Sequence, residues 1–137
     1  MIAAWHSVLA GLPILLLHLA TTTGLFFVGL AIYVWATPYR EIALIRQGNM
    51  AAAISLAGQM LALGIPLGAM MAHSVSLPDI LVWGIVTVIL QLIAFGVVAI
   101  VIRNLPQAIE RGDMAPALVL AGGQIVAGLL NAAAMSG

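Results

Sequence analysis

The side chains of this chain that could do chemistry fall into two small sets. The first is a group of amides inside long apolar stretches: Gln59, with Ser55 one helical turn before it, Gln91, Gln124, and Asn131 toward the end of the last stretch. Each amide offers a carbonyl oxygen and two N–H donors but exchanges no proton at ordinary pH. Such groups either hydrogen-bond one apolar helix to another or line a hydrated path for a neutral or weakly polar solute. No span interior contains Asp, Glu, Lys or Arg. A proton-coupled carrier, which needs a titratable group within the membrane, is therefore disfavoured.

The second set is a polar turn, His73, Ser74, Ser76 and Asp79, with Trp83 one turn further and Asn131 expected at similar depth. A serine, a histidine and an acid invite a hydrolase reading, but here they lie in one short turn with no oxyanion element in view. No enzymatic activity is expected. Ser76-Leu77-Pro78-Asp79 has instead the spacing of a capping box, with proline inside the first turn. The alternative for this outer cluster is a ligand, ion or lipid-headgroup site. No metal site is expected, because His6, His18 and His73 do not share helix-turn spacing and there is no cysteine. No cofactor motif is present.

The elements that must position these groups follow from composition. The chain has 137 residues, of which 64% are apolar and 6% charged, and a mean hydropathy of +1.23. That is too little polar surface to cover a water-soluble domain, so this is a membrane protein. A formal net charge of zero and the absence of lysine remove the usual footprint of a nucleic-acid partner. The N-terminus has no basic region ahead of its apolar run, so the first hydrophobic segment is expected to be retained.

Four stretches are long enough to cross a bilayer as helices: about 12–36, 50–72, 78–102 and 114–134. Residues 1–11 extend the first helix or form a short interfacial piece, and Tyr33 and Trp35 mark an interface. Two mixed segments, residues 37–49 and 103–113, read as elbows with short interfacial helices. They carry all four arginines, Arg40, Arg46, Arg103 and Arg111, as topology determinants and contacts for anionic lipid or for a cytoplasmic or membrane protein partner. Asn49 and Asp113 stand where each following span needs a helix cap. Pro66 should kink the far end of the second span. Gly64, Gly68 and Ala72 form a small-residue stripe for close helix approach.

The stretch Gly48–Gly64 is written again as Gly112–Gly128: Gly48, Met50, Ala51, Ala53, Leu56, Ala57, Gly58 and Gly64 recur as Gly112, Met114, Ala115, Ala117, Leu120, Ala121, Gly122 and Gly128. Repeat one covers about 12–72 and repeat two about 78–135, within one membrane domain, 1–137. Two spans per repeat give both copies the same direction across the membrane. The arginines place both elbows in the cytoplasm and both termini outside. The copies differ in their first spans, where Phe27 stands for Gln91 and Leu15 for Asp79.

Ile45-Arg46, Asn49-Met50-Ala51-Ala52, Gly64-Ile65-Pro66-Leu67, Ser76 with Asp79 and Trp83-Gly84, Gln91-Leu92 and Asn131-Ala132-Ala133 together resemble the domain of unknown function 350 family. The resemblance runs from about residue 20 onward. It implies a small bacterial inner-membrane protein with a two-span unit in tandem, and it suggests importance for the asparagine, Asp79 and Trp83. It implies no activity.

The expected fold is therefore an all-α membrane protein, with four transmembrane helices as two tandem, parallel-oriented two-helix repeats joined by short elbow helices. A homo-oligomer through small-residue helix faces is expected. The expected function is a non-catalytic membrane subunit or scaffold linked to envelope integrity. The alternative is a small oligomeric channel or carrier for a neutral or weakly polar solute through a glutamine-lined path.

Overall fold

The computed structural model describes residues 1–73 and 76–137; Ser74, expected in the outer polar turn, lies outside the described residues. Among the described residues there are six helices: α1 (Ile2–Ala36), α2 (Glu41–Arg46), α3 (Met50–His73), α4 (Leu77–Val101), α5 (Leu105–Glu110) and α6 (Met114–Ser136). α1, α3, α4 and α6 are long and apolar enough to span a membrane, with boundaries close to those expected for all but the first. α1 starts at Ile2 and runs unbroken through Pro13. In an apolar helix a proline removes one backbone bond, and without a polar turn beside it there is nothing to stop the helix. Trp5 and Trp35, both strongly exposed, stand about 45 Å apart along α1, the thickness of a bilayer with its headgroup regions.

The two elbow helices end alike. Gly48 and Gly112 each have φ +85°, a left-handed conformation that glycine adopts without a Cβ penalty. In the first, Gly48 N–H donates to Ile45 O and Asn49 N–H to Leu44 O, both at 2.9 Å. In the second, Gly112 N–H donates to Ile109 O at 3.0 Å and Asp113 N–H to Ala108 O at 2.9 Å. This Schellman pattern satisfies the last carbonyls and turns the chain into the next span. Asn49 then caps α3, its Oδ1 accepting from Ala52 N–H at 3.0 Å. Asp113 does not do the same for α6: its side chain makes no cap bond and instead accepts from Arg111 Nη2 at 3.0 Å. With a guanidinium two residues away, a charge-assisted bond displaces the cap expected from the sequence.

α3 and α6 lie side by side and in the same direction at the centre of the bundle. A Cβ on Gly58 would stand 2.6 Å from Ala121 Cβ, and one on Gly128 would stand 2.6 Å from Ala62 O, so the two backbones nearly touch. α1 crosses α4 where Gly84 meets Leu25 and Gly29 meets Val88. The small-residue stripe expected to carry the close approach does not. Gly68 has open space beside it and Gly64 touches only Phe26, because the α3 face turned to α6 is that of Gly58 and Ala62. Two apolar cores result. One, at the elbow end, joins Tyr39, Ala51, Ala52, Leu105, Ile109, Ala117 and Leu120; the other, at the far end, joins Leu63, Leu67, Met70, Ile80 and Val88.

Candidate functional site

Polar side chains gather at both ends of the bundle, and the elbow end holds the group that the sequence pattern concealed. Glu41, the first residue of α2, is wholly buried, and among the described residues neither carboxylate oxygen has a hydrogen-bond partner. The composition of residues 37–49 predicts only a polar elbow lying in the interface. Instead α2 folds back on α3 with this side chain turned inward, while Arg40 and Arg46 stay exposed. Removal from water pushes the Glu41 carboxyl up to about 7, and the Tyr39 hydroxyl beside it opposes that rise in part. The Tyr39 phenol is likewise buried, and burial followed by the nearby Glu41 raises its pKa.

Around these two residues lie oxygen-bearing side chains from three spans. Tyr39 adjoins Ser55 of α3 and Tyr33 of α1. Tyr33 Oη accepts from Gln124 Nε2 of α6 at 2.8 Å. Ser55 Oγ donates to Ala52 O at 3.1 Å within its own helix. Tyr33, expected with Trp35 as an interfacial aromatic, is fully buried, and Phe95 of α4 packs against its ring edge at a centroid distance of 5.7 Å. Only Trp35 faces outward.

The intramembrane amides act between helices. Gln91 Nε2 donates to Ala62 O at 3.1 Å, tying α4 to the α3 carbonyl that also faces Gly128. Gln124 ties α6 to α1 through Tyr33, and Asn131 Nδ2 donates to Thr87 Oγ1 of α4 at 3.0 Å. Gln59 is buried. The carbonyl oxygens of Gln59, Gln91 and Gln124 accept nothing.

At the far end the structure brings together most of the expected outer cluster. His73, Asp79, Trp83 and Asn131, with Met70 and Met135, line a half-open crevice of about 640 Å³. Ser76 and Asp79 face each other across the first turn of α4: Ser76 Oγ donates to Asp79 Oδ2 at 2.7 Å, and Asp79 N–H reaches Ser76 Oγ at 3.4 Å. Among the described residues Asp79 is held by Ser76 and makes no hydrogen bond with His73. Among the described residues no three His, Cys, Asp or Glu side chains are grouped to hold a metal.

The four arginines share the elbow end and are all exposed. Arg40 and Arg46 border an open crevice of about 560 Å³ that reaches Glu41. Asn49, expected only as a cap, also joins the elbows, its Nδ2 donating to Ile109 O at 2.8 Å and Glu110 O at 3.2 Å.

Comparison with known proteins agrees with the resemblance. Residues 7–135 match the family model described as Domain of Unknown Function (DUF350). The chain is 31% identical over 118 residues to the UPF0719 inner membrane protein YjfL of Escherichia coli K12, covering 81% of this chain and 89% of that protein. The same figures hold for its counterpart in Escherichia coli O157:H7. No solved structure matches.

Proposed function

The chain belongs to the DUF350 family, and from that premise we propose that it is a multi-pass inner-membrane protein with a non-catalytic role, a membrane subunit or scaffold serving envelope integrity. One observation carries this reading: three amides inside the spans are used between helices of the same chain, Gln91 to Ala62, Gln124 to Tyr33 and Asn131 to Thr87. Amides used in this way fix helix register in lipid, where an unpaired polar group is costly. The spans are arranged as two tandem two-helix units running in the same direction, with elbows and arginines in the cytoplasm. The uncovered Gly64 and Gly68 face of α3, beside Thr22 and Phe26 of α1, suits packing against a second copy.

The alternative is a small oligomeric channel or carrier for a neutral or weakly polar solute. In its favour, the carbonyl oxygens of Gln59, Gln91 and Gln124 are buried without a donor. Flux from liposomes holding the purified protein separates the two. Vesicles that stay sealed to a range of neutral solutes support the scaffold; passage abolished by Gln91→Leu, with folding retained, overturns it. For orientation, cysteines at Gln47 and Ser136 should react from the cytoplasmic and the outer side respectively.

A further inference from the structure

The amides and the outer crevice leave one buried group without a use. Glu41 occupies a fully buried seat, has no hydrogen-bond partner at either oxygen, and has no cation in salt-bridge reach among the described residues. A carboxylate ionised in such a seat would face a cost of burial that the Tyr39 hydroxyl offsets only in part. A carboxylic acid there is tolerable. Packing alone does not require an acid either. In the register that sets Gly48 on Gly112, Glu41 falls on Leu105, which is also the first residue of its elbow helix and also fully buried, and which fills its place as a plain hydrocarbon.

From this geometry we propose that Glu41 is a reversible proton-binding site that governs how the first elbow is seated: protonated, it holds α2 on α3; ionised, it releases α2 toward water. The open crevice bordered by Arg40, Arg46 and Trp35 also includes Glu41 in its lining, so the buried carboxyl lies beneath an open face of the elbow. The groups that surround it set the response. Its own elbow contributes Tyr39, α1 contributes Tyr33, and α3 contributes Ser55 and no titratable residue short of His73 at its far end. Glu110 of the second elbow, itself exposed, borders a neighbouring crevice with Tyr39 and Arg40. Arg40 and Arg46 are solvated on the outer side of the elbow, poised to pair with the carboxylate once it swings out. With pKa about 7, the switch operates across the neutral range.

The test uses the full-length protein in lipid nanodiscs. The chain has only four acidic residues, so an infrared carboxylic-acid band can be assigned by Glu41→Gln. The wild type should carry the acid band at pH 6 and lose it with a midpoint near 7, and the Glu41→Gln protein should lack this transition. Amide hydrogen exchange in Glu41–Arg46, measured relative to Glu41→Gln at each pH, should rise several-fold between pH 6 and 8. Absence of the band at pH 6 overturns the proton site. A band that titrates without any change in α2 exchange overturns the coupling to the elbow.

Discussion

The elbow at Glu41–Arg46 and the elbow at Leu105–Glu110 close with the same backbone device and put opposite kinds of side chain in the same register. Both end at a left-handed glycine with the same pair of carbonyls satisfied. Yet one buries a glutamate and the other a leucine. The cap positions differ in the same sense: Asn49 both caps its helix and donates across to the second elbow, while Asp113, whose side chain has no N–H to give, turns to Arg111. The shared backbone accounts for shape. The unshared side chains make the first elbow the polar, responsive one and the second its apolar support.

The most disruptive way to break this contrast is to move the acid. Leu105→Glu places a carboxyl in the apolar core that holds Ala51, Ala117 and Leu120, and should destabilise the protein by about 3–5 kcal/mol at pH 8, read by chemical denaturation in detergent. Exchanging the caps is milder. Asn49→Asp retains the bond to Ala52 but loses both donations to the second elbow, a cost of about 1–2 kcal/mol, whereas Asp113→Asn should change stability by less than about 1 kcal/mol because it gives up an exposed ion pair. The shared device gives the most symmetric effect. Gly48→Ala and Gly112→Ala should each cost about 1 kcal/mol, and unequal losses would mean that the two turns carry different loads.

Much of the architecture was legible because bilayer physics is local. Span length, the breaks at Thr37-Pro38 and at Gly48 and Gly112, and the placing of arginines follow from short windows of sequence. Burial within the bundle is not local. Residues 37–49 read as an interfacial elbow, and nothing in that window says that Glu41 turns toward α3 while Ile42 turns away. The signal was present only in the repeat: setting the copies on each other puts Glu41 on Leu105, a position expected to be apolar. The close approach of α3 and α6 was missed for a related reason. Gly64, Gly68 and Ala72 have the right spacing, but spacing does not say which face meets the partner, and Gly58 with Gly128 took that role. The amides Gln91 and Gln124 were recognised as important types, while their partners, a backbone carbonyl and Tyr33, depend on which helices become neighbours.

The claim that Glu41 is held in the first elbow for its proton rather than for packing is tested most directly by measuring stability against pH for the wild type and Glu41→Leu. Burial raises the folded carboxyl from 4.5 to about 7, so its neutral form is favoured by folding. That stability is fully present below pH 4.5 and is lost as pH rises through 7, amounting to roughly 3 kcal/mol at about 1.4 kcal/mol per tenfold step. The account predicts that Glu41→Leu, which copies the second elbow, is about as stable as the wild type at pH 5 and more stable at pH 8. A Glu41→Leu protein that is less stable than the wild type at both pH values would contradict it.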